Sequence, residues 1–222
     1  MFVKLWMHHD VITIDTETPI GQAKELLDQS HFRHLPVVNE KKLVGIISQT
    51  DINTALPSAV DSSLTPENII IATQAKVSSF MTSNPITAHP MDPLENVALL
   101  MQKFKVGAIP VVENEELVGI ISETDIFMAF IEIAGAEDLG ARIELQIPNN
   151  GTAIYAITDI CKHFDMDLNA ISVYKNFSQD HQLLTIRVNG KEIDNMVAAL
   201  WDSGAKVNRV LMKNSEDENN SA

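Results

Sequence analysis

The sequence has a single cysteine, Cys161, so no disulfide can form within the chain. This scarcity fits a reducing compartment. Cys161 lies in an apolar helical pattern with Ile157 and Ile160, which predicts a small core residue rather than a reactive thiol. No apolar run reaches the roughly 18 residues that span a bilayer, and the first ten residues lack the features of a secretory signal. We therefore expect a cytoplasmic protein without membrane insertion.

Basic residues are also scarce, with 16 Lys and Arg against 30 Asp and Glu, giving a net charge of −14. Nucleic-acid binding needs clustered Lys and Arg, so this balance argues against nucleic acid as a partner. The charge is uneven: residues 1–139 carry −11, residues 140–213 carry 0 and residues 214–222 carry −3. The change near Gly140 predicts a domain boundary, and the acidic, polar end from Asn214 predicts a disordered tail.

Known catalytic patterns are missing as well. The sequence has no Gly-rich phosphate loop and no GxSxG nucleophile elbow. His8, His9 and Asp10 are adjacent, but no further ligand follows at a spacing that suits a metal ion. We therefore predict no catalytic residues, no catalytic cofactor and no metal site, and an enzyme is the least favoured alternative.

What the sequence does contain is a repeat with an offset of 74 residues. Residues 43–52 read LVGIISQTDI and residues 117–126 read LVGIISETDI, and the match extends back without a gap to Met7 and Met81. Two copies of one unit favour a single pseudo-symmetric body over a long solenoid.

Each copy predicts the order strand, helix, strand, strand, helix. Short opening segments, 11–14 and 85–88, precede Thr18-Pro19 and Asp92-Pro93, which predict an N-cap residue before a proline at the first helical position. Apolar residues then keep helical spacing. Two β-branched runs separated by four polar residues predict a hairpin, and a second helix follows Ser48 or Ser122.

Several residues of the repeat can be interpreted in two ways, as structural or as ligand-binding residues. Gly45 and Gly119 interrupt a β-branched strand, which favours either close strand packing or the approach of a flat ligand. Ser48 and Ser122 can cap the following helix, and Asp51 and Asp125 lie in its first turn. Such a Ser-x-x-Asp pattern is either a helix start that binds nothing or a site where the carboxylate accepts hydrogen bonds from a ribose diol.

The element order, the Leu35-Pro36-Val37-Val38 strand, the LVGIIS strand and the Ser-x-x-Asp after it resemble a cystathionine-β-synthase (CBS) domain, and the tandem resembles a CBS pair. The resemblance implies an α/β fold in which two repeats pack through their sheets and leave two clefts for adenosine-containing ligands. It gives Asp51 and Asp125 the ribose contact, and Ser48 and Ser122 a phosphate or ribose contact. It places the adenine pockets near two sets of residues: Thr13, Ile14, Leu35 and Pro36 in the first cleft, and Thr87, Ala88, Ile109 and Pro110 in the second.

The two predicted clefts differ just before their LPVV-like strands. The first repeat has His31-Phe32-Arg33-His34, and the second has Lys105-Val106-Gly107-Ala108. Arg33 can hold a phosphate through two hydrogen bonds, and the histidines add donors at low pH. We therefore assign Arg33 and His34 to the first cleft and Lys105 to the second, and expect the Arg33 cleft to prefer the more phosphorylated ligand. The alternative is a solvated turn that balances an acidic surface.

Residues 140–213 predict the order β-α-β-β-α-β, typical of a ferredoxin-like sheet covered by two helices. At about 70 residues beside a regulatory module, this order resembles an ACT domain. The resemblance implies an amino-acid site near the turn Asn149, Asn150 and Gly151, whose alternative is a plain β-turn with a dimerising sheet edge. A CBS pair followed by an ACT domain resembles the AcuB-type acetoin-utilisation proteins.

Together these patterns predict a non-catalytic regulatory protein that senses an adenine nucleotide or S-adenosylmethionine, forms a homodimer and acts on an unknown target protein. The alternative is a structural dimerisation module with empty clefts. The predicted domains are a first CBS repeat at 1–56, a connecting segment at 57–75, a second repeat at 76–135, an ACT-like domain at 140–213 and an acidic tail at 214–222.

Overall fold

The computed structural model describes residues 1–57, 65–149, 152–175 and 177–213. It divides into two compact units, Met1–Phe127 and Met128–Ala222. The division falls inside a helix at Glu123–Ile133, whereas the sequence predicted a boundary near Gly140. The predicted acidic tail lies outside the described residues. Within the described part of the chain, no helix is long and apolar enough to cross a membrane.

The first repeat has the predicted element order. Its elements are β1 (Ile14–Asp15), α1 (Ile20–Ser30), β2 (His34–Asn39), β3 (Lys42–Ser48) and α2 (Gln49–Ala55). Strand β1 runs parallel to β2, and β2 and β3 form the predicted antiparallel hairpin. The hairpin turns through Glu40 and Lys41, which both have positive φ, as a tight two-residue turn requires. Buried residues of these elements form one core, including Ile20, Leu27 and Ile47.

The described part of the segment between the repeats contains the helix α3 (Pro66–Gln74), which has a proline at its start. Thr65 accepts a hydrogen bond from the Asn68 amide and caps the helix. The apolar run Ile69, Ile70 and Ile71 lies on this helix, and all three side chains are exposed. Helix α3 instead packs against α1 through its other side, where Thr73 lies close to Gly21.

The second repeat contains β4 (Thr82–Ser83), α4 (Leu94–Phe104), β5 (Ala108–Glu113), β6 (Glu116–Ser122) and α5 (Glu123–Ile133). Its hairpin repeats the register of the first, with Val111 opposite Gly119 as Val37 is opposite Gly45. The predicted opening strand at 85–88 is reduced to one parallel bridge between Ala88 and Val111.

Helices α1 and α4 start one residue later than predicted. Their N-caps are the prolines, Pro19 and Pro93, which have extended backbone. The side chains expected to cap them are used in the preceding turns. Thr18 Oγ1 accepts a hydrogen bond from the Asp15 amide, and Asp92 Oδ2 accepts one from the His89 amide.

The repeats exchange the residues just before the predicted segments 11–14 and 85–88, and we call these residues, around His8 and around Thr82, the exchanged opening segments. Thr82 and Ser83 of the second repeat pair with Ile46 and Gly45 in β3 of the first. At the equivalent place, His8 pairs with Ile120 in β6 of the second repeat. Each sheet is therefore completed at one edge by residues from the other repeat.

The second unit contains the predicted β-α-β-β-α-β order. Its elements are β7 (Gly140–Pro148), α6 (Ala153–His163), β8 (Asp167–Tyr174), β9 (His181–Asn189), α7 (Ile193–Asp202) and β10 (Lys206–Lys213). The strands form an antiparallel sheet in the order β10-β7-β9-β8. Alternate residues of β7 and β9 face a core shared with α6 and α7. Cys161 is buried in this core, as predicted, and burial raises the pKa of its thiol.

Candidate functional site

The first Ser-x-x-Asp pattern forms a complete capping box at the start of α2. Asp51 Oδ2 accepts hydrogen bonds from the Ser48 amide at 2.8 Å and from the Ser48 hydroxyl at 2.7 Å, while Ser48 Oγ accepts one from the Asp51 amide at 3.2 Å. These bonds use only one carboxylate oxygen. No residue in the described ranges donates to Asp51 Oδ1, so this oxygen remains available as a hydrogen-bond acceptor.

The second pattern has the same geometry with one addition. Asp125 Oδ2 accepts hydrogen bonds from the Ser122 amide and hydroxyl, both at 2.7 Å. Asp125 Oδ1 lies 3.0 Å from Nε2 of His8, in the exchanged opening segment. The His8 side chain is 66% exposed and that of Asp125 is 11% exposed, so the imidazole covers the carboxylate from the solvent side. In the first repeat, Thr82 takes the place of His8.

A cavity of about 300 Å³ surrounds Asp125. The opening segment, the turn before β2 and the start of α5 line it. Its lining is His8, His9, Asp10, Val11, Ile12, His31, Phe32, Arg33, His34, Ala108, Ile120, Ser122, Thr124 and Asp125. We name it the Asp125 cavity.

A second cavity of about 460 Å³ surrounds Asp51. Its walls are the turn before β5, the end of β3, the start of α2 and Thr82. The lining is Arg33, His34, Ile46, Ser48, Gln49, Thr50, Asp51, Thr82, Lys105, Val106, Gly107 and Ala108. We name it the Asp51 cavity. Its size, like that of the Asp125 cavity, lies within or near the range of small-molecule sites.

The structure groups the charged residues differently from the prediction. The sequence placed Lys105 with Asp125, but Lys105 lines the Asp51 cavity. Arg33 and His34 were placed with Asp51, and they line both cavities. The reason is the exchange between repeats, because each Ser-x-x-Asp faces the turn and the opening segment of the other copy.

The residues predicted for the adenine pockets lie mostly inside the sheets. Ile14, Leu35 and Pro36 are buried in the first repeat, as are Ala88, Ile109 and Pro110 in the second, while Thr13 and Thr87 are exposed. These eight residues are not among those that line the two cavities. Instead, Ile120 provides an apolar strand residue in the Asp125 cavity, and Ile46 does so in the Asp51 cavity.

The two glycines of the LVGIIS strands serve close packing. A Cβ on Gly45 would lie 2.4 Å from Sδ of Met81, and one on Gly119 would lie 2.8 Å from Sδ of Met7 and 3.0 Å from the carbonyl oxygen of His8. These neighbours belong to the exchanged opening segments. Of the two predicted roles, the structure supports packing.

The boundary between the cavities is asymmetric. The first repeat places Arg33 and His34 there, and the second places Gly107 and Ala108 at the equivalent positions. A Cβ on Gly107 would lie 3.2 Å from Cε1 of His34, so the small residues leave room for the large ones. Burial and the neighbouring Arg33 guanidinium lower the pKa of His34, against weaker raising effects of Asp51 and Glu123.

Both cavity walls start from a left-handed residue. Helix α1 ends at His31 with φ of 56°, and α4 ends at Lys105 with φ of 57°. This conformation is uncommon outside glycine, asparagine and aspartate, and it concentrates at functional positions. It turns the chain from the helix directly into the cavity wall.

Two lining residues, Thr50 and Thr124, were missed by the sequence prediction. They occupy the same position in SQTD and SETD, and each lines its cavity. The hydroxyls of Ser48 and Ser122 are already bonded within the capping boxes, so a ligand can form hydrogen bonds more easily with those of Thr50 and Thr124. Their identity in the two copies was the signal that could have found them.

The remaining predicted site is the turn after β7. Asn149 is exposed, and its amide donates to the Asp180 carbonyl at 2.8 Å. Asn150 and Gly151 lie outside the described residues. Across the described ranges, no group of three or more His, Cys, Asp or Glu side chains is arranged to hold a metal ion.

Comparison with known proteins identifies the repeats. The family described as CBS domain matches residues 3–58 and 77–132. The chain belongs to the CBS-domain family. Its CBS pair gives the α/β arrangement described above.

Several solved CBS pairs are similar to this chain. One is the CBS domain pair of protein MJ0100 in complex with 5′-methylthioadenosine and S-adenosyl-L-methionine, with 31% identity, coverage of 62% of this chain and 98% of that one, and a TM-score of 0.50. The protein CBSX2 in complex with AMP has 29% identity, coverage of 60% and 97%, and a TM-score of 0.51. An acetoin utilization protein (AcuB) from Vibrio cholerae has 30% identity, coverage of 62% and 95%, and a TM-score of 0.51.

Some relatives of the CBS pair have enzyme names. An L-aspartate semialdehyde sulfurtransferase of Methanocaldococcus jannaschii is 34% identical over 121 residues, which are 54% of this chain. The matched part spans only 21% of that relative's length. The similarity therefore concerns the CBS repeats and not the whole enzyme.

Proposed function

We propose that this protein is a non-catalytic regulator that binds an adenosine-containing ligand in the cavities of its CBS pair. The observation that carries the proposal is the free Oδ1 of Asp51. The capping box uses Oδ2 alone, so the carboxylate can hold the helix start and still accept a hydrogen bond from a ribose hydroxyl. The likeness to CBS pairs in complex with AMP or S-adenosylmethionine supports the same ligand class.

The cavities offer complementary chemistry for such a ligand. Ile46 or Ile120 gives an apolar surface for a base, Asp51 or Asp125 an acceptor for the ribose, and Arg33 with Lys105 gives cations for a phosphate. The assignment covers the predicted residues that line the cavities. The contact with adenine stays a prediction for the eight residues named for it: Thr13, Ile14, Leu35, Pro36, Thr87, Ala88, Ile109 and Pro110.

The proposed mechanism is a shift of population between two packings of the repeats. A ligand in either cavity touches the opening segment of one repeat and the Ser-x-x-Asp of the other, so its binding energy favours the packing in which these elements are close. A coupling of about 1–3 kcal/mol is enough for a switch.

The second unit extends the proposal to an ACT-like domain that passes the signal to a target protein. Its element order and its sheet order β10-β7-β9-β8 support this assignment. An amino-acid ligand near Asn149, a homodimer and a link to acetoin metabolism are part of the same proposal. The AcuB likeness supports the acetoin link only at the level of the CBS pair.

The test is isothermal titration of the purified protein with AMP, ATP and S-adenosylmethionine, beside Asp51→Ala and Asp125→Ala variants. We expect micromolar binding that one variant loses, which assigns the ligand to that cavity. Silence from all three ligands would favour the second candidate, a structural module, which the complete capping boxes also fit.

A further inference from the structure

The two cavities share one guanidinium. Arg33 lines both, whereas of these two cavities Lys105 lines the Asp51 cavity alone and His8 the Asp125 cavity alone. The position equivalent to Arg33 in the second repeat is Gly107, which has no side chain. The pair therefore has a single arginine at a boundary where a symmetric duplication would place two.

Arg33 is attached to both helix starts. Its carbonyl oxygen accepts a hydrogen bond from the Gln49 amide at 2.9 Å, at the start of α2. Its Nη2 donates to Thr124 Oγ1 at 3.3 Å, at the start of α5. The backbone is fixed beside the Asp51 cavity, and the guanidinium points to the Asp125 cavity.

The guanidinium is free to change partners. The Arg33 side chain is exposed, and no carboxylate in the described part of the chain forms an ion pair with it. Its hydrogen bond to the Thr124 hydroxyl is long, at 3.3 Å. A phosphate is a stronger partner, because it adds charge–charge attraction and can accept two hydrogen bonds from one guanidinium.

We propose that Arg33 serves one phosphorylated ligand at a time, so that anionic ligands in the two cavities bind with negative coupling while uncharged nucleosides bind independently. The proposal rests on the proposed function, since it concerns the same cavities. It assigns to the pair one phosphorylated adenosine compound together with one uncharged adenosine compound.

The sign of the coupling follows from the charges. A phosphate in the Asp51 cavity has Lys105 as a second cation, and it draws Arg33 away from Thr124. The Asp125 cavity then keeps no fixed cation among its lining residues, only imidazoles beside the carboxylates of Asp10 and Asp125. A second phosphate near the boundary also meets the charge of the first, and this repulsion is strong where water is partly excluded.

The experiment compares each cavity alone with both together. Asp51→Ala and Asp125→Ala leave one working cavity each, and isothermal titration with AMP and with adenosine gives the affinity of each cavity when the other is empty. In the full-length unaltered protein, we expect the second AMP to bind about tenfold more weakly than in the matching single-cavity variant, and the second adenosine to bind within about twofold.

Arg33→Ala tests the residue itself. Without the group that draws the phosphates to the boundary, the AMP ratio should fall to within about twofold, while adenosine still binds and shows that the fold is kept. Lys105→Ala is the matched control. It removes a cation that only one cavity uses, so AMP weakens in the Asp51 cavity and the tenfold ratio persists.

Three results would overturn the inference. The ratio in question divides the dissociation constant of the second ligand by that of the matching single-cavity variant. If this ratio is the same for AMP and adenosine in the unaltered protein, there is no coupling between anionic ligands. If the AMP ratio stays at tenfold in Arg33→Ala, the arginine is not its cause. Both leave the proposed function standing. If neither AMP nor adenosine binds to any form of the protein, the proposed function fails and this inference fails with it.

Discussion

Asp51 and Asp125 have two tasks, because one oxygen of each carboxylate caps a helix and the other faces a cavity or its histidine cover. Removing such a side chain therefore affects stability as well as binding. An Asp→Ala variant shows by its loss of binding which cavity holds the ligand, but it loses the helix cap at the same time. To lose the ligand contact alone, the new side chain must keep the cap.

Asparagine at position 51 provides this separation. Its amide oxygen can accept the two hydrogen bonds from Ser48, which leaves the amide nitrogen, a donor, where Oδ1 faced the cavity. We expect Asp51→Asn to keep the free energy of unfolding within about 0.5 kcal/mol, and Asp51→Ala to lower it by about 1 kcal/mol. Both should lose adenosine affinity in the Asp51 cavity by about tenfold or more.

Urea denaturation and isothermal titration of the two variants check this prediction. If Asp51→Asn binds adenosine as tightly as the unaltered protein, the ribose contact is not made by Asp51.

His34 predicts a pH dependence of stability. Its pKa is lowered in the folded protein by burial and by Arg33, relative to the usual 6.5. The unfolded chain therefore binds more protons as the pH falls below 6.5, so acidification through this window lowers the free energy of unfolding. A His34→Gln variant should lose this part of the decrease.

The measurement is chemical denaturation of both proteins at about pH 7.5 and about pH 5.5, on either side of the ordinary histidine pKa. Equal losses of stability on acidification in the two proteins would mean that His34 titrates alike in the folded and unfolded states.

At the scale of elements, each exchanged opening segment packs against a glycine in a strand of the other repeat. The three atoms nearest to a Cβ on Gly45 all belong to the side chain of Met81, which has rotatable bonds and can move aside. Gly119 faces Met7 and also the backbone oxygen of His8, which the bridge to Ile120 fixes. The two equivalent glycines therefore differ in how much their surroundings can yield.

We expect Gly119→Ala to destabilise the protein more than Gly45→Ala, by about 1–3 kcal/mol for Gly119 and less for Gly45, as overpacking of a tight contact does. Guanidinium denaturation of the two variants provides the comparison, and each variant is the control of the other. Equal losses, or a larger loss for Gly45→Ala, would contradict the role of the His8 backbone.

At the scale of the whole molecule, the proposed homodimer needs an exposed apolar surface. Leu99 and Phe104 on α4 are 60% and 47% exposed, although they belong to a helix whose opposite side is buried. We expect the 222-residue chain to have about twice its mass of 24.5 kDa in light scattering. Leu99→Glu should shift it towards the monomer if α4 forms the interface.

Gln102→Glu is the matched control, because it adds the same charge to an exposed position of the same helix. A monomeric unaltered protein would contradict the homodimer, and equal effects of the two variants would move the interface away from Leu99.

The sequence predicted what local pattern and repetition determine. The hairpins, the helices and the β-α-β-β-α-β order follow from alternation, helical spacing and turn residues, and the 74-residue offset located both capping boxes. The grouping of Lys105 with Asp51 could not be predicted in this way. It depends on the pairing of His8 with Ile120 and of Thr82 with Ile46, contacts between distant segments that no local periodicity encodes.

The exchange of opening segments also has a consequence for how such a chain can diversify. Both repeats contribute residues to each cavity, so a single copy could form neither cavity alone, and two identical copies would form two identical cavities. Two copies in one chain can differ in sequence. A mutation at one position then changed one side of the boundary only, and Arg33 and His34 opposite Gly107 and Ala108 are the outcome.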